Sequence, residues 1–280
     1  MTGIARPELV ATPEWLAENL GRADLRILDL RWRPDGTAPA LYASGHVPGA
    51  TLVDWRTSLV ETEEGSDVLR LASPERMAAV MSQAGVGDGT SVAIYDDTLS
   101  YFAARAWWSL RAYGYEAARV LAGGWPGWLA AGLPVSSAEA QPAGAVFTPR
   151  AQVRQRLTNA DVRGLLGAPD VLLLDARGPA EYAGFEGSVR RLGHIPGALN
   201  VPVAAMHEPG TQRLRDPDEL RSMLVKANVV RGRRLVCYDA SGVAAAKLAY
   251  VLTILGYEDV AVYDGGWSEW GDRLDLPVDR

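Results

Sequence analysis

The sequence predicts an α/β protein built twice over: two similar domains, each a mostly parallel sheet with helices on both faces. Three observations lead there. Short blocks recur in the same order, 142 to 148 residues apart. Unbroken apolar runs such as Val92-Ala-Ile-Tyr95 and Leu235-Val-Cys-Tyr238 read as strands buried on both faces. These runs alternate with helical stretches, the signature of parallel pairing through crossovers.

The repeat is explicit. Ile27-Leu-Asp-Leu-Arg31 returns as Leu173-Leu-Asp-Ala-Arg177, and Gly45-His-Val-Pro-Gly-Ala50 as Gly193-His-Ile-Pro-Gly-Ala198. Tyr95-Asp96 returns as Tyr238-Asp239, Gly114-Tyr-Glu116 as Gly256-Tyr-Glu258, and Gly123-Gly-Trp125 with Trp128 as Gly265-Gly-Trp267 with Trp270. Leu133-Pro-Val135 closes the first copy and Leu276-Pro-Val278 the second. A conserved order at nearly constant offset marks a tandem duplication. It divides the chain into a first domain over 1–135, a linker over 136–155 and a second domain over 156–280.

Each copy takes the same course. A helix opens it (13–20; 159–166), then a strand ends in Asp-x-Arg, and the Gly-His-x-Pro-Gly-Ala turn leads to another strand (51–54; 199–202). A helix (73–84; 216–227), the long apolar strand and a second helix (102–113; 243–255) follow. Gly114 and Gly256 then stand where a glycine ends a helix in the left-handed conformation. A last strand (119–121; 260–263) feeds Gly-Gly-Trp and a terminal helix. Ser136 to Ala145 has the small, polar, Pro/Gly composition of a connection between domains.

Composition bounds the function. With 280 residues, 48% hydrophobic and 22% charged, the chain has material for two ordinary cores. A net charge of −6 argues against a general nucleic-acid binder. No apolar run reaches the length of a membrane span, and the N-terminus lacks a basic segment followed by an apolar core. A single cysteine excludes an internal disulfide and suits a cytoplasmic protein. Three scattered histidines and that cysteine show no metal-ligand spacing, and no cofactor is expected. His46 and His194, repeated in the turns, read as fold residues, and His207 as part of a surface loop.

Chemistry concentrates after the strand of the second copy. A strand, a tight loop over Asp239, Ala240, Ser241 and Gly242, and a helix from Val243 and Ala244 form an anion site by construction, because loop amides and the helix dipole converge. Cys237 lies two residues before the loop, inside an apolar run, where burial would keep its thiol protonated.

These blocks resemble the tandem rhodaneses, the thiosulfate and 3-mercaptopyruvate sulfurtransferases, over residues 8 to 280. The resemblance implies two rhodanese-like domains, the first of the inactive type and the second carrying the nucleophile. In active members a cysteine opens the loop, as Cys-Gly-Ser-Gly-Val-Thr or Cys-Arg-Lys-Gly-Val-Thr. Aligned on Tyr238 and Gly242-Val243, that position is Asp239, and Asp96 is its counterpart in the first copy. The resemblance assigns substrate binding to Arg177 and to the loop residues Ala240, Ser241, Gly242, Val243 and Ala244. It implies a small anionic sulfur compound or a thiol acceptor protein as partner, with no nucleic acid and no membrane.

The departure has direct consequences. A carboxylate can occupy the amide nest and cap the helix, but it cannot form a persulfide, and its charge opposes an incoming anionic donor. Arg177 could form a salt bridge to Glu181 or Asp175, or with Asp239 itself; an Arg177–Asp239 ion pair would reconcile a pocket role with a structural one, with Arg190 and Arg191 adding positive charge at the same mouth. Phe185, Met206 and some tryptophans would line the interdomain cleft. Three readings follow: an impaired sulfurtransferase, a non-catalytic anion- or protein-binding module, and a hydrolytic use of Asp239.

Overall fold

The computed structural model describes residues 3–62, 66 and 68–280. The N-terminal half carries β1 (Val10–Ala11), β2 (Leu25–Asp29), β3 (Ala50–Leu52), β4 (Val60–Glu61), β5 (Arg70–Leu71), β6 (Ser91–Tyr95) and β7 (Ala118–Leu121). The C-terminal half carries β8 (Arg156–Leu157), β9 (Val171–Asp175), β10 (Leu199–Asn200), β11 (Arg234–Tyr238) and β12 (Val260–Tyr263). The order is β1-β7-β6-β2-β3 in one sheet and β10-β9-β11-β12-β8 in the other, and every pairing in both is parallel. β4 and β5 form a separate antiparallel pair. The α/β class and the two parallel sheets are those expected from the repeat.

The helices of the first half are α1 (Pro13–Glu18), α2 (Ala38–Ser44), α3 (Trp55–Ser58), α4 (Pro74–Gln83), α5 (Tyr101–Ala112) and α6 (Gly124–Ala130). Those of the second are α7 (Asn159–Leu165), α8 (Pro179–Tyr182), α9 (Pro217–Lys226), α10 (Val243–Ile254) and α11 (Gly266–Trp270). Side chains start several of them: Thr12, Ser73, Thr158 and Asp216 each accept an amide of the first turn. Gly114 and Gly256, with φ of +77° and +88°, stand one residue past the cap residues of α5 and α10.

Two strands are shorter than the apolar pattern suggests. β3 stops at Leu52 because Asp54 turns its carboxylate to the Arg56 amide and starts α3. β10 stops at Asn200, and Pro202 beyond it has no amide to offer a ladder. The hairpin β4–β5 leaves no alternating pattern long enough to be read from sequence.

One core cluster runs through both halves. α5 and α10 lie face to face along its centre, with Trp107 edge-on to Tyr250 at 5.1 Å between ring centroids. From Ala245 to Ile254 every residue of α10 is buried, because the helix is covered by its own sheet on one side and by α5 on the other. Smaller clusters fill the outer face of each sheet, around Trp128 in the first half and Trp270 in the second. Residues 136–155 follow the first half closely: Ser136 pairs with His46, and Phe147 is buried with its amide on Ser82 Oγ.

Candidate active-site loop

β11 is the central strand of its sheet, and Asp239 follows at its C-terminal end, where open parallel sheets bind ligands. Gly242, at φ +79°, turns the chain into α10. The Asp239 carboxylate closes the loop on itself: Oδ1 accepts the Gly242 amide and Oδ2 the Ala244 amide, the latter at 3.1 Å. Asp239 is 4% exposed. Burial pushes its carboxyl above the ordinary range, and the amides of Ser241, Ala244, Gly242 and Ala245 pull it part of the way back.

The rest of the loop is fixed from below. Trp267 N donates to Asp239 O at 2.6 Å and Ser268 N to Ala240 O at 3.1 Å. Gly266 makes this approach possible: its φ is +58°, and a Cβ there would lie 2.4 Å from Asp239 O. The first copy repeats the device with Gly124, Trp125 and Asp96. Asp96 accepts four amides, from Thr98, Ser100, Phe102 and Ala103, all between 2.8 and 2.9 Å.

Cys237 is fully buried in the core between the halves, two residues before Asp239. Burial, with the Asp239 charge nearby, pushes its thiol far above the ordinary range. It is a small hydrophobe of the core.

Arg177 does not meet Asp239; of the pairings open from sequence, the one with Asp175 is found. Its Nε and Nη2 hold the Asp175 carboxylate, and Nη2 also reaches Gly193 O at 2.8 Å. The guanidinium lies 4.7 Å from the Trp267 ring centre. Arg31 repeats this arrangement with Asp29, Gly45 O and Trp125. The reason is local: Asp175 lies two residues back along the same strand end, while the Asp239 carboxylate already has amide donors.

Other expectations also change. His207 is not on the surface; it is 6% exposed, because the Met206 and His207 stretch folds back onto the joint between the halves. Arg191 donates to the carbonyls of Trp270, Gly271 and Leu276, so it ties down the end of the terminal helix rather than charging a mouth. Met206 is core, and Phe185 points to solvent at 84% exposure. His46 and His194 hydrogen-bond Tyr42 O and Tyr182 O and stack on those same rings.

Sequence reading missed the cross-links between the halves. Arg105, on α5, donates to Gly242 O at 3.1 Å and to the buried Asp264 at 2.8 Å. Lys247, at the matching position of α10, donates to Leu99 O in the loop of the first half. Asp264 also accepts Arg156 Nε and the Leu71 amide, and Arg70 pairs with Glu269, so the β4–β5 hairpin is fastened over the second half. One signal was present: Asp264 replaces the Ala122 of the first copy, a charge inside an otherwise repeated Gly-Gly-Trp block.

Among the described residues no group of three or more His, Cys, Asp or Glu could hold a metal ion, and no helix is long and apolar enough to cross a membrane. The model of the rhodanese-like domain matches residues 12–131 and 158–273. The chain belongs to the rhodanese family. It is 33% identical over 277 residues to a 3-mercaptopyruvate sulfurtransferase of Escherichia coli strain K12, covering 95% of this chain and 96% of that protein. It is 35% identical over 286 residues to a putative thiosulfate sulfurtransferase, SseB, of Mycobacterium tuberculosis H37Rv, covering 99% and 98%. The crystal structure of SseA, a 3-mercaptopyruvate sulfotransferase from Escherichia coli, superposes with a TM-score of 0.82 at 29% identity, covering 92% of this chain and 98% of that one. The rhodanese described here is thus a homologue of sulfurtransferases along its whole length.

Proposed function

We propose that this rhodanese is a sulfurtransferase homologue in which the conventional persulfide step is silent. Sulfur transfer in this family type needs a thiolate that attacks the outer sulfur of thiosulfate, expelling sulfite, or the thiol sulfur of 3-mercaptopyruvate, expelling pyruvate, and holds the resulting persulfide among the loop amides. One observation carries the reading: the Asp239 carboxylate occupies those amides itself, with the only cysteine sealed in the core behind it. Ala240, Ser241, Gly242, Val243 and Ala244 keep the form of a donor pocket, and Arg177 supports that form through Asp175 and Trp267 rather than meeting the donor. The partner is a small anionic sulfur compound or a thiol acceptor protein in the cytoplasm, bound without turnover.

The test is incubation with each donor, followed by mass spectrometry of the intact chain and a thiocyanate assay with cyanide. The wild type should gain no sulfur and release no thiocyanate, while Asp239→Cys should acquire a labile sulfur. A one-sulfur gain on wild-type Cys237, or turnover abolished by Cys237→Ser, would overturn the reading. The non-catalytic binding module is the second reading, favoured by the self-closed loop. Saturable thiosulfate binding without a mass gain would support it.

A further inference from the structure

A cleft lined by both halves lies away from the Asp239 loop. It lies beside the loop of the first half, has a volume of about 840 Å³, and none of residues 239–244 lines it. Its walls come from both halves. Ser100, Val120 and Gly123 face a segment of the second half that includes Gln212 and Arg213, and Lys247 and Tyr250 of α10 line it as well.

The buried charge in this wall is Lys247, which is 1% exposed. An ammonium carries three donors, and Lys247 uses one, on Leu99 O. No carboxylate among the described residues lies within ion-pair distance of it. Asp96 is the opposite charge that acts on it, but its carboxylate accepts four hydrogen bonds from backbone amides. The buried His207 lies near enough to Lys247 for the two charges to oppose each other, and the Tyr101 ring centre lies 5.6 Å from Nζ. Burial draws the amine down to about 7, with Asp96 opposing the shift.

At the rim the charges are mixed and half spoken for. Arg215 holds Ala205 O and Glu219, and Asp216 caps α9. Glu14, Glu208 and Arg213 make no ion pair among the described residues. Rim charges are screened by water and salt, whereas a charge in the dry wall acts at low dielectric, so Lys247 sets the preference of the site. The backbone supports it: Leu99 and Ser100, neither of them glycine, are held at φ +52° and +58°. That turn presents the Leu99 carbonyl to Lys247 and the Leu99 amide to the Gln212 side chain.

We propose that this cleft is a second ligand site, separate from the Asp239 loop, for an amphipathic carboxylate whose anionic end pairs with Lys247. Val10, Val120, Leu121 and Leu220 offer the body of the ligand an apolar wall. The volume suits a molecule well above the size of thiosulfate. The proposal stands whether or not position 239 transfers sulfur.

Octanoate, titrated calorimetrically into the full chain at pH 8 in two buffers of different ionisation enthalpy, tests it. The expected result is one site per chain with net proton uptake, because the incoming anion restores the proton that Lys247 lacks at that pH. Lys247→Met should abolish the uptake and weaken binding by about tenfold to a hundredfold, the range of a charged hydrogen bond. Arg213→Glu, on an exposed side chain, should weaken binding without disturbing the fold, and octylamine should not bind. The proposal fails if octanoate does not bind, if octylamine binds as well, or if the proton uptake survives in Lys247→Met.

Discussion

Replacing Lys247 by methionine should stabilise this rhodanese at pH 7 and flatten its stability between pH 7 and 9. Lys247 is 1% exposed, and burial draws its amine from 10.5 down to about 7. Between those values the unfolded chain binds a proton that the folded chain does not, so stability rises with pH. Each tenfold change in proton affinity corresponds to about 1.4 kcal/mol, which sets the cost of the buried charge at pH 7 at about 4 kcal/mol as an upper bound. By pH 9 about 2 kcal/mol of that cost has gone. Above pH 9 the buried Cys237 thiol and Tyr250 hydroxyl act in the opposite direction, because their folded values lie above their unfolded ones. Methionine keeps the packing of the stem and gives up the bond to Leu99 O, the attraction of Asp96 and the contact with the Tyr101 ring. Urea unfolding of both proteins at pH 7, 8 and 9 reads the effect. Parallel pH profiles, or a variant less stable than wild type at pH 7, would show that the lysine is compensated in a way this reasoning leaves out.

Three further outcomes are expected. Arg105→Ala leaves the 2%-exposed Asp264 with only Arg156 and the Leu71 amide, so urea unfolding should show a loss of about 3–5 kcal/mol; a loss below 1 kcal/mol would mean that the pair is already solvated. Gly266→Ala places a Cβ 2.4 Å from Asp239 O at a φ of +58°, so the melting temperature should fall, with a cost of about 2 kcal/mol or more; an unchanged melting temperature would refute the close approach. His207 is drawn from 6.5 down to about 4 by burial and the Lys247 charge, so the unfolded chain holds the extra proton between those values and stability rises with pH there. His207→Phe should remove up to about 3 kcal/mol of that rise between pH 4 and 6.5, and equal slopes in acid titrations of the two proteins would count against it.

What the sequence could reveal follows from what repetition records. Tyr95-Asp96 and Tyr238-Asp239 recur because strand, loop and helix recur, so the two parallel sheets and the amide cradle around Asp239 were legible before any coordinates. The partner of Arg177 was not. Asp175, Glu181 and Asp239 were all within plausible reach, and only the strand register, with Trp267 laid over the guanidinium, selects Asp175. The links between the halves were hidden for another reason. Arg105 and Lys247 each reach a backbone carbonyl of the opposite copy, and a carbonyl has no residue-type signature. His207 was misplaced because a Pro-Gly stretch nearby reads as an exposed loop, while its fold-back onto α10 depends on contacts far away in the chain.

The crossed reach of Arg105 and Lys247 constrains how ligands can enter. Domains that bind between their faces commonly open like a jaw, but here a continuous core and two exchanged cations hold the jaw shut. Ligands that reach the Asp239 loop or the Lys247 cleft therefore do so without the two halves parting. The joint also ties the two copies to one another: each loop offers a carbonyl to a side chain of the opposite copy, so a change in either loop reaches the other half.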